Sequence, residues 1–307
     1  MKKTPVWIDG MKAFFSNKKL YREIKSKKND DENVIVVAPK LGDFCYGMLY
    51  AKEFKKESGK KLAICCPEKF VKYVESYGCA DRIITYPNSR LYAYRFFIMV
   101  GLKATFHPRK EAEDGIYFTL PAEKKFKGKT LKEVYRDHIF KVKNDKIQLL
   151  NLKQTPKVTS IENFDQIKDK VVVINPYSNS HFHKGLDLMQ PIADLLTENG
   201  YIVYTNAIGK QKPLKHTKPL GCPVDELFEI ANNCRAFISI RSGVADFLVD
   251  TKCFMILTYI KEPHFRFTHS LKDLGKNNIE ECFCKNEKDI QSLKNIVVEN
   301  IIEKDKL

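Results

Sequence analysis

The segment at residues 239–246, Ser-Ile-Arg-Ser-Gly-Val-Ala-Asp, combines a cation, two hydroxyl groups and a glycine at a predicted turn. It overlaps the apolar run Ala236–Ile240, which predicts a buried strand, and it leads into residues 247–249, which predict a helix. A strand that turns into a helix directs backbone N–H groups and the positive helix end toward one place. This arrangement suits a phosphate or diphosphate group.

Three residues of this turn have a physical reason to contact phosphate. Arg241 can hold two oxygens at once, Ser242 can cap the helix and donate from its hydroxyl, and Gly243 lets the backbone approach closely. A plain helix cap with an exposed arginine explains the same tripeptide equally well. The choice between the two interpretations therefore depends on the rest of the chain.

The charge of the chain favours an anionic partner. The sequence has 53 Lys+Arg against 38 Asp+Glu, a formal net charge of +15. Such a surplus suits nucleic acid, an acidic membrane face or a phosphorylated substrate. At residues 1–30 nine basic residues stand against three acidic ones. Within residues 5–28, apolar residues recur among the lysines, so this segment either lies on an acidic membrane surface or packs as an extra helix.

The cysteines predict a reducing environment. The nine lie at positions 45, 65, 66, 79, 222, 234, 253, 282 and 284. Most stand in apolar runs, and their spacing does not match the Cys-x2–4-Cys pattern of zinc sites. We expect reduced core side chains of a cytosolic protein. The sequence shows neither a secretory leader nor an apolar run of about 20 residues, so we expect neither export nor a membrane span.

The chain is long enough for two domains, and its hydrophobic content of 43% allows both to have well-filled cores. Short apolar segments alternate with helical ones, which is typical of parallel sheets covered on both faces. The predicted strands are residues 33–38, 61–66, 81–86, 170–175, 201–205, 236–240 and 253–258. The fold class is therefore α/β, with two Rossmann-like doubly wound lobes facing a cleft.

The predicted domain division follows this alternation. It consists of a basic amphipathic extension at 1–32, an N-terminal Rossmann-like domain at 33–165, a C-terminal Rossmann-like domain at 166–285 and a C-terminal helix at 286–307. Ligands of such sheets bind beyond the carboxyl ends of the strands.

The order of motifs resembles the GT-B glycosyltransferases, most closely the heptosyltransferase-like group of glycosyltransferase family 9. The resemblance covers residues 33–87 and 170–260. It is carried by Gly42-Asp43 after the first strand, the small polar loop at 174–180 followed by His183-Lys184, the Gly-x-x-Val strand at 200–203, Leu220-Gly221 before a helix, and the turn Arg241-Ser242-Gly243. At this turn the family has Asp-Ser-Gly followed by a histidine. In this chain Arg241 stands in place of the aspartate, and no histidine follows Gly243 at the expected position. The departure predicts a donor other than the family's usual one.

The resemblance implies roles for the matching residues. Asp43 would be the base that deprotonates the acceptor hydroxyl, unless it only caps its helix. Lys184 and Arg241 would stabilise the leaving diphosphate in place of a metal, since no Asp-x-Asp signature is present. Lys184 could equally belong to a solvated loop.

The remaining candidates concern binding. The residues expected to contact the nucleotide-sugar donor are Ser178, His183, Lys184, Asn206, Cys222, Asp225, Arg241, Ser242, Gly243 and Asp246. Asp225, or its neighbour Glu226, could bind ribose hydroxyls, although Asp225 also suits the first turn of a helix. Asp246 could face a donor-sugar hydroxyl or form a surface salt bridge. His107 and Arg109 are acceptor candidates, as is the lysine run at 124–132, which could also be a solvated face.

The residues and the resemblance together predict a glycosyltransferase that uses a nucleotide-diphosphate sugar, bound by the C-terminal domain, and an acceptor, bound by the N-terminal domain, without a metal or other cofactor. Inversion of the anomeric configuration is what the resemblance implies. The acceptor would be a glycan or a polyprenyl-phosphate-linked intermediate of bacterial surface polysaccharide, at the inner face of the cytoplasmic membrane. One alternative is a nucleotide-sugar epimerase of the same fold, for which no pair of acids is evident. Another is a basic nucleic-acid-binding protein, but aromatic residues are not interleaved with the basic ones in a recognisable motif. A dehydrogenase is disfavoured because no Gly-x-Gly-x-x-Gly follows either first strand.

Overall fold

The structure is a computed structural model that describes residues 19–87, 114–119, 128–152, 154–178, 184–260, 269–284 and 287–305. The sequence also predicts a helix at 90–103, and these positions lie outside the described residues. The chain forms two compact units, Met1–Leu150 and Asn151–Leu307, and each is described by itself. The predicted boundary at 165 thus differs from the observed one.

The position of the boundary follows from hydrogen bonds in the connector that precedes the second sheet. Thr155 Oγ1 donates to Glu229 Oε2 over 2.5 Å, and the N–H of Thr159 donates to Glu226 Oε1 over 2.7 Å. Both glutamates belong to the second unit. This polar connector, most of which the predicted boundary at 165 assigned to the first domain, is therefore part of the second unit.

The first unit is built on a parallel sheet. Its described strands are β1 (Glu32–Val36), β2 (Lys61–Pro67), β3 (Arg82–Tyr86) and β4 (Ile116–Phe118). They lie in the order β3-β2-β1-β4. Because β2 and β3 lie on one side of β1 and β4 on the other, the winding direction changes beside β1. Ligands of open α/β sheets bind at such a point.

Helices cover this sheet. The described ones are α1 (residues 19–27), α2 (Leu41–Met48), α3 (Ala51–Ser58), α4 (Val71–Tyr77) and α5 (Leu131–Val134), which continues as a π-helical turn at Tyr135–Phe140. Leu20 and Ile24 of α1 are buried in a core cluster with Val34 and Val36 of β1. The apolar side of α1 is thus used inside the protein, as one of the two interpretations of the basic segment expected. Residues 1–18 lie outside the described part.

The second unit is built on a larger parallel sheet. Its described strands are β5 (Val171–Asn175), β6 (Ile202–Asn206), β7 (Lys218–Leu220), β8 (Ala236–Ile240), β9 (Phe254–Tyr259) and β10 (Ile279–Phe283). Their order, β10-β9-β8-β5-β6-β7, is the 3-2-1-4-5-6 order of the dinucleotide-binding fold read from β7. The winding direction changes between β5 and β8, and this confirms the predicted Rossmann-like organisation.

The described helices of the second unit are α6 (Phe164–Ile167), α7 (Lys184–Glu198), α8 (Val224–Asn233), α9 (Gly243–Phe247) and α10 (Glu287–Val297), which continues as a π-helical turn at Val298–Ile302. Leu293, Val297 and Ile301 share a core cluster with Val172 and Ile174 of β5. The C-terminal helix is therefore part of the second unit's core rather than a separate segment.

Two further expectations concern the whole chain. All nine cysteines are free and buried, which confirms that they are core side chains. In the part of the chain that the structure describes, no helix has both the length and the apolar composition needed to cross a membrane.

Gly185 allows α7 to begin directly against the loop that follows β5. A Cβ atom at this position would lie 1.9 Å from the carbonyl oxygen of Pro176 and 3.2 Å from Cδ1 of Ile240. The first of these neighbours is backbone and cannot rotate away. Gly185 therefore sets how closely the helix approaches the carboxyl ends of β5 and β8.

We predict that Gly185→Ala destabilises the protein by about 3 kcal/mol, because overpacking against backbone must displace α7 or the loop. Gly221→Ala is the matched control, since its Cβ would lie 3.4 Å from the Ala207 carbonyl oxygen, near ordinary van der Waals contact. Urea unfolding followed by circular dichroism measures both variants. Equal midpoints for Gly185→Ala and the wild type would show that the close approach is not a constraint.

Candidate functional site

Four polar side chains meet at the carboxyl ends of three adjacent strands in the second unit. They are Asn175, Asn206, Ser239 and Ser242, all of them buried, and we call them the Asn175 network. Asn206 Nδ2 donates to Asn175 Oδ1 over 2.9 Å. Asn175 Nδ2 donates to Ser239 Oγ over 2.9 Å and to Ser242 Oγ over 3.2 Å. The network lies where the winding direction of the sheet changes, which is the usual ligand position in this fold.

The orientation of both amides in the network is fixed by a carbonyl group. Asn175 Nδ2 also lies 3.3 Å from the carbonyl oxygen of Tyr177, which can only accept a hydrogen bond. The two hydrogens of the Asn175 NH2 group are therefore shared among the Tyr177 carbonyl and the two serines, and its Oδ1 faces Asn206. It follows that the NH2 group of Asn206 faces Asn175, and that the Oδ1 of Asn206 points away from Asn175.

Two buried oxygens in the segments at the carboxyl ends of β6 and β5 have no hydrogen-bond partner among the described residues. They are Oδ1 of Asn206, a member of the network, and Oγ of Ser178, in the segment that follows β5. Buried polar groups in proteins are nearly always hydrogen-bonded, so each unpaired one requires an explanation, such as a functional role. Ser178 and Asn206 were both donor-binding candidates from the sequence.

Ser242 is the N-cap of α9, as the sequence predicted. Its Oγ accepts from the N–H of Ala245 over 3.5 Å and from Asn175 Nδ2. Within the described part of the chain this hydroxyl accepts two hydrogen bonds and donates none. Its hydrogen can therefore be directed toward an anionic oxygen. The network thus offers a donor at Ser242 and an acceptor at Asn206.

Arg241 is not the free phosphate-binding cation that the sequence predicted, because its guanidinium contacts protein oxygens. Its guanidinium forms a bidentate pair with Asp246, with Nη1–Oδ2 and Nη2–Oδ1 distances of 2.9 and 2.5 Å. Nε donates to the carbonyl oxygen of His269 over 3.0 Å, and Nη1 also donates to that of Ser242 over 3.0 Å. The side chains of Arg241 and Asp246 are 14% and 7% exposed, so this is a buried ion pair and not the surface salt bridge considered above.

The segment that Arg241 contacts is also anchored by Glu281, a residue of β10 that the sequence analysis missed. The buried Glu281 carboxylate accepts from the hydroxyls of Tyr259 and Ser270 over 2.8 and 2.6 Å and from the N–H of Leu271 over 2.8 Å. Tyr259 Oη also lies 3.1 Å from the His269 carbonyl oxygen. Arg241 and Glu281 together hold residues 269–271 at the carboxyl side of the sheet.

In the first unit, Asp43 lies in the first turn of α2, where the chain leaves β1. The N-cap residue is Lys40, so Asp43 is not the cap that the alternative interpretation proposed. Its side chain is partly exposed. Gly47 brings α2 close to β4, since a Cβ there would lie 2.7 Å from Thr119 Oγ1. The helix that carries Asp43 is therefore held firmly at the carboxyl ends of β1 and β4.

The donor candidates on and before α8 differ in their surroundings. Asp225 is partly exposed in the first turn of the helix. Glu226 is buried, and although burial opposes it, hydrogen bonds from the N–H groups of Thr159 and Ser160 lower the pKa of its carboxyl group. Burial, together with the nearby charge of Glu226, raises the pKa of the Cys222 thiol to about 12. The Glu226 carboxylate therefore binds the backbone of the connector, and of the two acids only Asp225 remains a candidate for binding the ribose hydroxyls.

Several candidates lie beyond the described structure. His107, Arg109 and His183 lie outside the described residues, and the side chain of Lys184, the first residue of α7, is not described. Two lysines of the 124–132 run are described. Lys129 and Lys132 pair with Asp137 and Asp145 at 3.8 and 2.8 Å, and both lysines are only partly exposed.

No group of three or more His, Cys, Asp or Glu side chains in the described part of the chain is arranged to hold a metal ion.

The fold has counterparts among solved structures. A glycosyl transferase family 9 protein from Veillonella parvula is 12% identical with a TM-score of 0.55, and the match covers 87% of this chain and 90% of that one. The E. coli heptosyltransferase WaaC with ADP is 13% identical with a TM-score of 0.56, over 88% and 99% of the two chains. The iron-containing dodecameric glycosyltransferase TibC of enterotoxigenic E. coli is 15% identical with a TM-score of 0.54, over 90% and 78%.

Sequence comparisons give no corresponding match. No protein-family model matches the chain, and no curated protein is significantly similar to it. The structural likeness is therefore one of fold, and it extends over both units. It confirms the predicted α/β fold of the GT-B type and its likeness to the heptosyltransferase-like group.

We predict that Asp246→Asn lowers the free energy of unfolding by about 3 kcal/mol, because it leaves the buried guanidinium of Arg241 without a compensating charge. Glu280→Gln is the matched control. Its partner Lys272 lies at 2.8 Å, but the two side chains are 40% and 42% exposed, and exposed pairs contribute about 0–1 kcal/mol. Urea titrations of both variants give the two values. Similar small losses would mean that the Arg241–Asp246 pair is not structurally important.

Proposed function

We propose that the protein is a glycosyltransferase that transfers a sugar from a nucleoside-diphosphate sugar, and that the Asn175 network binds the donor. The observation that carries this proposal is the polar network at the point where the winding direction of the 3-2-1-4-5-6 sheet changes. Open α/β sheets bind nucleotides there. The likeness in fold to WaaC, whose structure is described with ADP, supports the same class of ligand.

The network suits a diphosphate at one end. The Ser242 hydroxyl can donate to a phosphate oxygen, and the backbone at Gly243 can approach it closely. Lys184, at the start of α7, is proposed to add a positive charge. Arg241 is proposed to position the Ser242 turn through its pair with Asp246 rather than to bind phosphate, because its donors already contact protein oxygens.

The transfer step is proposed to need a base in the first unit and no divalent metal. Asp43 accepts the proton of the acceptor hydroxyl while that oxygen attacks the anomeric carbon. The bond between this carbon and the diphosphate breaks at the same time, and the charge that develops on the leaving oxygen is stabilised by Ser242 and Lys184. Attack opposite the leaving group inverts the anomeric configuration.

The acceptor is proposed to be a glycan or a polyprenyl-phosphate-linked intermediate of bacterial surface polysaccharide, contacted through His107 and Arg109. The net charge of +15 suits work beside anionic lipid at the inner face of the cytoplasmic membrane. Since Leu20 and Ile24 are buried in the core, the described part of the basic segment would act there through its charges rather than by insertion.

We predict that one nucleoside diphosphate among GDP, UDP, ADP, CDP and dTDP raises the melting temperature of the wild type, both with EDTA and with Mg²⁺, because ligand binding stabilises the native state by mass action. Ser242→Ala should weaken this binding about tenfold, since it removes a charge-assisted hydrogen bond. Calorimetric titration measures the affinities. A shift that requires metal contradicts metal independence, and tight salt-dependent binding of oligonucleotides without any nucleotide effect favours the nucleic-acid-binding alternative.

We predict that Asp43→Asn retains the wild-type affinity for this nucleoside diphosphate but transfers sugar at least about 100-fold more slowly, because the amide cannot accept the proton. Single-turnover transfer to polyprenyl-phosphate-linked acceptors gives the rate. Retained transfer by Asp43→Asn would exclude Asp43 as the base without affecting the assignment of the donor site.

A further inference from the structure

We propose that Asn206 selects the nucleotide by accepting a hydrogen bond from a neutral donor group of the ligand, either a hydroxyl of its ribose or an N–H of its base. This inference rests on the proposed function for the class of ligand. It goes beyond that function because it names one atom, Oδ1 of Asn206, that distinguishes between nucleotides. It also states that the ligand must place a hydrogen-bond donor against this atom.

The polarity follows from a chain of hydrogen bonds. The Tyr177 carbonyl oxygen can only accept, so it fixes the NH2 group of Asn175 on its side. Asn175 Oδ1 then requires a donor, and Asn206 Nδ2 supplies it over 2.9 Å. Reversing the Asn206 amide would place two oxygens against each other. Its Oδ1 is thereby held as an acceptor, and no described residue donates to it.

The burial of Asn206 makes this polarity selective. The residue is only 3% exposed, so an unmatched acceptor there has little access to water. A phosphate oxygen would place one acceptor against another, whereas a hydroxyl or an N–H group completes the chain of hydrogen bonds. Sites built to pair with a ligand O–H or N–H group reject analogues that lack it far more strongly than apolar pockets reject a change of shape.

The loop that follows Asn206 adds an apolar surface. Ile208 is 58% exposed, and it is the one large hydrophobic side chain among the described residues that is markedly exposed. The N–H of Ala207 donates to the Leu220 carbonyl oxygen over 3.0 Å, and the N–H of Ile208 donates to Gln211 Oε1 over 2.8 Å. These bonds anchor the loop on both sides of Ile208. An exposed apolar side chain two residues after a fixed acceptor suits a base or a sugar ring that carries O–H or N–H groups.

The experiment measures discrimination rather than affinity alone. Calorimetry identifies the nucleoside diphosphate that binds the wild type most tightly. This ligand is then compared with its 2′-deoxy and 3′-deoxy forms (for dTDP, which is already 2′-deoxy, the 3′-deoxy form alone) and with analogues that lack one N–H donor of its base. The analogue without the exocyclic amino group is IDP for ADP or GDP and UDP for CDP, and the analogue without the ring N–H is the N1-methyl form for GDP and the N3-methyl form for UDP or dTDP. We expect one of these analogues to bind the wild type at least tenfold more weakly, and its identity distinguishes a ribose hydroxyl from a base N–H.

The same ratios are measured for Asn206→Ala. We expect the discrimination to fall to about onefold, because both ligands then lack the contact. A variant that merely loosens the network weakens both ligands in parallel and keeps the ratio. Asn199→Ala is the matched control, because Asn199 lies directly after α7, before the amino end of β6, whereas Asn206 lies at the carboxyl end of that strand. This variant should keep both affinities and the ratio.

Three outcomes would overturn the assignment. A wild type that does not discriminate against any analogue, or an Asn206→Ala variant that discriminates as the wild type does, contradicts the role of Asn206 and leaves the proposed function intact. A wild type that binds no nucleoside diphosphate contradicts the proposed function, and the assignment of Asn206 fails with it.

Discussion

The hydrogen bond between the side-chain amides of Asn206 and Asn175 is the constraint on which the second unit's site depends. It links the carboxyl ends of β6 and β5, and through Ser239 and Ser242 the link continues to β8 and the turn after it. Each partner is buried, so every amide and hydroxyl must point in one direction to satisfy the others. The result is a site with a defined polarity, a donor on one side and an acceptor on the other.

Charged residues around this network hold the candidate site in place. The Arg241–Asp246 pair fixes the Ser242 turn against α9, and Arg241 also contacts the His269 carbonyl oxygen. Glu281 holds the residues that follow His269. Removing one residue of a buried ion pair leaves the other charge buried and uncompensated, so few substitutions of these residues are tolerated. Arg241 is therefore occupied by protein contacts around the Ser242 turn.

Much of the fold could be predicted from the sequence, because apolar runs such as Ala236–Ile240 are buried on both faces and need no alternation to be recognised. The strands β4, β7 and β10 were missed, since they are short or carry polar residues such as the two glutamates of β10. The sequence predicts one helical stretch after Asp43 that continues to about residue 58, whereas the structure has two helices, α2 and α3. Part of the site was predicted, including the Ser242 cap. The pairing of Arg241 could not be predicted, because it depends on which way a long side chain turns. Asn175 belongs to the loop at 174–180 that the resemblance used, but as the last residue of an apolar strand it was not selected as a site residue.

In the proposed function, a nucleoside diphosphate binds at the carboxyl side of the second sheet. The most direct test is hydrogen–deuterium exchange, followed by mass spectrometry, with and without the nucleoside diphosphate that binds. We expect slower exchange in peptides that cover residues 202–211 and 238–247, because ligand contacts suppress local opening. Peptides of α3 and α10 should exchange unchanged. Protection confined to the first unit, with none at 202–211 or 238–247, would contradict the proposed function.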